Sequence, residues 1–137
     1  MITEFRDKNF YLSNFYSSPV TYNGITFQNA EAAYHSQKDP ARANEFKNLN
    51  PSEAKQLGRR VRLRKDWESI KLDIMYKIVT EKFRQNPKLA KKLLDTSNKT
   101  LIEGNTWNDT YWGVCNGKGN NHLGKILMRV RKKLKQK

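Results

Sequence analysis

The stretch Val20-Thr-Tyr-Asn23-Gly24-Ile-Thr-Phe27-Gln-Asn29-Ala-Glu31-Ala-Ala-Tyr34-His35-Ser-Gln-Lys38 holds two structural signals in succession. Asn-Gly between two short β-prone runs favours a type I′ turn, because both central residues tolerate positive φ, so Val20–Phe27 reads as a hairpin. Asn29 then precedes a run of good helix formers that its side chain can cap. The residue before a proline disfavours the helical region, so Asp39-Pro40 ends the run and the spacing predicts a helix over 30–38.

Working outward, helical signals dominate. Pro40–Lys47 reads as a short helix. Asn50-Pro51-Ser52-Glu53 reads as an N-cap followed by proline at the first helical position, with Gly58 as the stop. Asp66 is placed to cap a main core helix in which Trp67, Ile70, Ile74 and Ile78 recur at spacings of three and four, running to Phe83 before Asn86-Pro87. A shorter basic helix through Leu94 follows, then a short strand at Thr100–Glu103. Leu123, Leu127, Val130 and Leu134 line one face of a C-terminal helix, and the Lys-rich end at 131–137 is expected to fray. Five or six helices around few strands define an α+β, predominantly helical class.

The chain has 137 residues, about one domain's worth, so a single domain over 1–137 is expected. Hydrophobic residues at 36% and fifteen Phe, Trp and Tyr side chains are enough to build a core, which excludes disorder throughout despite a mean hydropathy of −0.91. No apolar run approaches the roughly 20 residues that a bilayer span needs. Met1–Arg6 lacks the layout of a signal peptide, so a soluble, cytoplasmic chain with no membrane partner is expected. One cysteine and two histidines give no disulfide and no zinc spacing, and no metal is expected.

The net charge is +14, unevenly spread. Residues 1–50 are neutral, 51–100 carry +8 and 101–137 carry +6. A basic C-terminal two-thirds suits a polyanion such as nucleic acid, through counterion release, and equally suits a solvated surface. Within it, Arg59, Arg60, Arg62, Arg64 and Lys65 form the densest cluster, either phosphate contacts or flanking charge.

Three groupings can carry chemistry. Glu31, Tyr34, His35 and Lys38 share one helical stripe, which is either an ordinary amphipathic face or an acid, an aromatic and an amine held together. Trp107, Asn108, Asp109, Tyr111, Trp112 and Gly113 gather aromatics and an acid in a loop, as core plugs or as stacking surfaces. Gly117-Lys-Gly119-Asn-Asn121-His-Leu-Gly124-Lys125 leads into the last helix. Its amides suit a phosphate, and its glycines equally suit a loop needing positive φ. The spacing is neither Walker A nor Rossmann, and no Ser or Cys nucleophile is indicated.

Taken in order, Leu12-Ser-Asn14-Phe15, Phe27, Glu31 through Tyr34 to Gln37-Lys38, Gly58-Arg59, Leu63-Arg64-Lys-Asp66-Trp67, Leu101-Ile-Glu103, Asp109 with Trp112-Gly113, and Gly117 to Met128 resemble the NADAR (NAD and ADP-ribose associated) family and its YbiA-like N-glycosidases. The family often has His-Tyr-Tyr-Gln-Ala after the glutamate, where this chain has Ala32-Ala33-Tyr34-His35-Ser36, and an aromatic where Asp39 stands.

The resemblance implies a compact helical α+β domain that hydrolyses N-glycosidic bonds without a cofactor or metal. The substrate it implies is an ADP-ribosylated guanine nucleotide or nucleic acid. The alternatives are riboflavin-pathway phosphoribosylamino intermediates, or binding of nucleotides or nucleic acid without turnover. It makes Glu31 the carboxylate at the anomeric carbon, Lys38 the candidate amine nucleophile, and Asp109 a second acid or a ribose ligand. Asn14, Phe15, Tyr34, Trp112, Gly119 and Asn121 become substrate-binding residues. Independently of the resemblance, the basic cluster and the glycine loop make Arg59, Arg62, Arg64 and Lys125 the candidate phosphate or nucleic-acid contacts.

Overall fold

The computed structural model describes residues 1–136 and shows an α+β, predominantly helical fold with two small two-stranded sheets. Two units rich in internal contacts compose it, one of residues 14–86 and one of residues 1–13 together with the chain from Pro87.

In the unit 14–86, β1 (Ser17–Tyr22) pairs antiparallel with β2 (Ile25–Asn29), setting Val20 opposite Phe27 and Tyr22 opposite Ile25. Asn23 (φ 50°) and Gly24 (φ 81°) both take positive φ at the turn, as the Asn-Gly pair predicts. Val20 and Phe27 are fully buried, while the Thr21 and Thr26 hydroxyls share a 2.8 Å hydrogen bond on the exposed face. The strand runs directly into α1 (Ala30–Ser36), where Asn29 Oδ1 accepts from the Ala32 amide at 2.7 Å. The helix is two residues shorter than the expected 30–38. Ser36 Oγ donates to the Ala33 carbonyl, and the Lys38 amide donates to the His35 carbonyl, tightening the exit into a turn.

A 3₁₀ segment (Pro40–Phe46) leads to α2 (Pro51–Gly58), which opens with a full capping box: Asn50 Oδ1 accepts from the Glu53 amide and Glu53 Oε1 from the Asn50 amide. The main helix, α3 (Trp67–Gln85), buries Trp67, Ile74, Met75, Ile78, Val79 and Phe83 and packs on β1 and α1. Asp66 does not cap it with its side chain, because that carboxylate is taken by the Arg64 guanidinium at 2.7 and 3.2 Å. At the far end Gln85 does what a neighbouring strand would do. Its amide accepts from the Thr21 amide and donates to the Thr21 carbonyl, at 2.7 and 2.9 Å, covering part of the hairpin edge.

In the other unit, α4 (Pro87–Asp95) packs on α5 (His122–Lys135). The strand expected at 100–103 reduces to a single parallel bridge between Ile2 and Leu101, and the sheet here is β3 (Gly104–Asn105) parallel to β4 (Val114–Cys115). Over its described part the basic end is helical, α5 continuing to Lys135. Arg131 is buried and donates to Thr96 Oγ1 and the Lys99 carbonyl, both at 2.8 Å, and Lys135 Nζ reaches Asn98 Oδ1 and the Ser97 carbonyl. Lys137 lies outside the described residues. No helix among them is long and apolar enough to cross a membrane.

Candidate functional site

The unit 14–86 gathers the acid, the amine and the aromatics of the stripe. Glu31 sits in the first turn of α1 with its side chain 13% exposed, and its amide donates to the Asn14 carbonyl at 3.1 Å, tying the Asn14 loop to the helix start. One carboxylate oxygen, Oε2, lies 3.0 Å from His35 Nε2, one turn along the helix.

Lys38 stands just past the end of α1. The Arg64 amide donates to its carbonyl at 2.9 Å, which fixes the backbone there, and its ammonium lies 5.9 Å from the centroid of the Trp67 ring. Burial pushes the Lys38 amine below its ordinary value. Glu31 opposes that shift, while the positive charges of Arg59, Lys71 and Lys55 add to it. The amine therefore yields its lone pair at lower pH than a solvated lysine, as an amine nucleophile requires.

Tyr34 is buried and forms the shared wall, its ring centroid 5.1 Å from Trp67 and 5.2 Å from His35. Asn14 is buried too. Its Nδ2 contacts Met75 Sδ at 3.3 Å, whereas its Oδ1 has no hydrogen-bond partner, so an acceptor is held out of water at a cost that a ligand hydroxyl would offset. Phe15 beside it is exposed. Of the basic cluster, Arg59 and Arg62 are exposed, but Arg64 is already committed to Asp66. Arg64 thus also serves the turn under Lys38, its amide donating to the Lys38 carbonyl.

The other unit holds the tryptophan loop and the glycine loop. Asp109 Oδ1 accepts from the Tyr111 and Trp112 amides at 3.1 and 2.9 Å, while Asn105 Oδ1 accepts from the Trp107 and Asp109 amides. These two short side chains shape the loop by replacing backbone partners. The Trp112 ring clusters with Tyr111 and His122, whereas Trp107 is 57% exposed.

The expectation of a phosphate cradle at the start of α5 needs correction. The amides of Asn120, Asn121, His122 and Leu123 donate to the carbonyls of Thr110, Gly113, Tyr111 and Trp112 respectively, which fills the positions an anion would take. Gly119 (φ 146°) makes a close approach, but to the chain itself: a β-carbon there would stand 2.2 Å from the Gly113 carbonyl oxygen. Asn121 uses both ends of its amide, donating to the Leu101 carbonyl and accepting from the Glu103 amide, each at 2.9 Å. Lys125 is exposed on α5. No group of three or more His, Cys, Asp and Glu residues among those described could hold a metal ion.

Two residues of the first group went unassigned in the sequence. His35 was legible, since four residues on a helix place it beside Glu31. Trp67 reads from sequence only as the start of a core stripe, and its position against Lys38 is a tertiary fact.

This fold and these motifs define a known class: a family model described as NADAR domain matches residues 3–135, and the chain belongs to the NADAR family. It is 39% identical over 128 residues to a Shigella flexneri protein named N-glycosidase YbiA, covering 89% of this chain and 79% of that protein. A Vibrio vulnificus protein named as a riboflavin biosynthesis protein is 39% identical over 133 residues, covering 92% of this chain but 36% of the relative. The NMR structure of the Escherichia coli protein YbiA superposes with a TM-score of 0.85 at 36% identity, covering 98% of this chain and 83% of that one.

Proposed function

We propose that this chain hydrolyses the N-glycosidic bond between ADP-ribose and a guanine base, in nucleotides or nucleic acid, with Glu31, Lys38 and Asp109 as its reacting side chains. The broader class, a hydrolase of N-glycosyl bonds, accords with the name of relatives that share 39% of its residues over most of their length. The observation that carries the reading is the Lys38 amine, desolvated beside Trp67 and set seven residues after a carboxylate that His35 holds largely out of water.

Cleavage of a ribosyl C1″–N bond passes through an oxocarbenium-like state, which a carboxylate stabilises. The neutral Lys38 amine attacks C1″ as the C1″–N bond breaks, and of the two protons on the ammonium so formed one passes to the departing base and the other is left for the ring oxygen. The ring oxygen then takes a proton as the sugar opens to an imine on Lys38, and water releases ADP-ribose and restores the amine. Asn14 Oδ1 accepts from a ribose hydroxyl, Tyr34 and Phe15 face the sugar and base, and Trp112 stacks. Asp109 and Asn121 additionally shape the loops that carry them. Arg59, Arg62 and Lys125, all exposed, supply salt-sensitive contacts to a polyanionic substrate.

The test is release of ADP-ribose from ADP-ribosylated guanosine and from ADP-ribosylated single-stranded DNA by wild type, Glu31→Gln and Lys38→Ala. Both variants are expected to lose activity by on the order of a hundredfold or more, and borohydride with substrate is expected to add mass to Lys38. Undiminished release by both would remove their roles.

A second reading keeps the chemistry and changes the substrate to a phosphoribosylamino pyrimidine. The riboflavin biosynthesis name of the Vibrio relative favours it. Turnover of that intermediate with little dependence on salt, and none of ADP-ribosylated guanine, would select it.

A further inference from the structure

We propose that His35 is a positioning residue for Glu31, donating from Nε2–H to one carboxylate oxygen so that the other is presented to the reacting sugar. The proposal rests on the reading of Glu31 as the reacting carboxylate and adds a residue to that site.

Three observations lead to it. The Nε2–Oε2 distance is 3.0 Å between side chains only 8% and 13% exposed, so water competes little for either. The imidazole is immobilised: Tyr34 meets it edge-on at 72°, and on α2 the α-carbon of Gly58 is so close that any β-carbon there would stand 2.6 Å from Nδ1. Finally, Nδ1 is buried and has no hydrogen-bond partner.

That last point fixes the tautomer. A proton on Nδ1 would be a buried donor with no acceptor, costing more than an unpaired lone pair in the same place. The ring proton therefore belongs on Nε2, directed at Glu31 Oε2. A donor on Oε2 fixes the rotamer of the carboxylate, and it leaves Oε1 as the oxygen to present to the sugar. This suits a group that stabilises a developing cation better than one that delivers a proton. Since misplacement of a reacting group by about 1 Å costs on the order of a hundredfold in rate, the donor acts through Glu31 on kcat, not through substrate affinity.

Two measurements test it. Long-range 1H–15N NMR of the imidazoles reads the tautomer without substrate, and with two histidines in the chain the His122→Gln variant assigns the signals. The expected result is a protonated Nε2 and a bare Nδ1 on His35, and a protonated Nδ1 would overturn the proposal. Kinetics on ADP-ribosylated single-stranded DNA then compare His35→Leu with His35→Gln, whose amide retains a donor. His35→Leu is expected to lower kcat at least about tenfold with KM unchanged, and His35→Gln to recover most of the loss.

Wild-type kcat in His35→Leu, or equal impairment of both variants, would overturn it, the latter by showing that only packing against Gly58 matters. Should His35→Leu fail to fold, the tautomer and the kcat of His35→Gln decide. In the Glu31→Gln background, His35→Leu is expected to add no further loss. Full activity of Glu31→Gln itself would instead overturn the assignment of Glu31 while leaving the tautomer result standing.

Discussion

Gly58 and His35 touch so closely that no side chain fits between them: a β-carbon at position 58 would stand 2.6 Å from Nδ1 and 2.9 Å from Cγ of the imidazole. The backbone angle at Gly58 is not the reason for glycine here, since Gly58 lies within α2 and is not at positive φ. Close approach is the reason. Gly58→Ala is therefore expected to destabilise the protein by about 1–3 kcal/mol, as overpacking does, seen as a lower urea midpoint at unchanged slope. Activity should fall further than the folded fraction does, because the ring must move off Glu31. An unchanged midpoint would show that the ring has room to yield.

Lys38 gives a pH prediction whose sign follows from its surroundings. Burial lowers its folded-state value below the ordinary 10.5. The free amine thus accumulates at lower pH than in a solvated lysine, and kcat/KM is expected to rise with pH along a limb lying below the usual lysine range. In the window between the lowered folded value and the ordinary one, the unfolded chain binds more protons at this site. Its contribution to stability therefore rises with pH through that window and is unfavourable below it. Lys38→Met should remove both trends, as read from a pH–rate profile and from thermal melts at matched ionic strength.

How much of this was written in the residues varies with the range of the interaction. Asn23-Gly24, Asn29 and the Asn50/Glu53 pair act over a few positions, and the hairpin and caps they predict are present. Glu31, Tyr34 and His35 share one face because a helix sets that spacing, whatever it packs against. Asp66 misled because an arginine two residues earlier competes for its carboxylate more strongly than the helix amides do. The glycine loop misled for a longer-range reason. Its amides look free in sequence, but the carbonyls of residues 110–113 fold back onto them, and no local pattern announces such pairing. Trp67 against Lys38 and Arg131 against Thr96 belong to the same class of contacts, set by packing between distant elements.

Arg131 ties the basic end of α5 to the turn at Thr96–Lys99. Burial lowers its guanidinium value, which Tyr11 opposes, and its Nη1 serves both Thr96 Oγ1 and the Lys99 carbonyl. Arg131→Met keeps most of the volume but leaves those two acceptors without this donor. A loss of about 1–3 kcal/mol is expected, with faster amide exchange over residues 130–135 by hydrogen–deuterium exchange. Unchanged protection there would show that packing of Val130 and Leu127 suffices.

The loop role of Asp109 can be separated from its proposed reacting role. Its Oδ1 organises the loop by accepting from the Tyr111 and Trp112 amides, and a carboxamide oxygen in the same place can do so equally well. Asp109→Asn is therefore expected to keep the melting temperature and the Trp112 environment in near-ultraviolet circular dichroism, while activity falls about a hundredfold through loss of the acid. Asp109→Ala should lose both. Wild-type turnover by the asparagine variant would leave Asp109 a loop residue alone.

Asn14 offers the sharpest separation of function from stability, because its Oδ1 is buried without a partner and its Nδ2 contacts the Met75 thioether. Removing an unsatisfied acceptor relieves a desolvation penalty, so Asn14→Leu, similar in volume, is expected to leave stability within about 1 kcal/mol of wild type or to raise it. The backbone carbonyl of residue 14 still accepts from the Glu31 amide, so the start of α1 is kept. If the acceptor is there for a ribose hydroxyl, KM should rise about tenfold, the scale of one lost hydrogen bond at 1.4 kcal/mol per decade. Binding calorimetry with ADP-ribose on wild type and variant reads that difference directly. Equal affinity, with a variant that melts higher than wild type, would mean that the orphaned oxygen is a packing defect and that the sugar binds elsewhere.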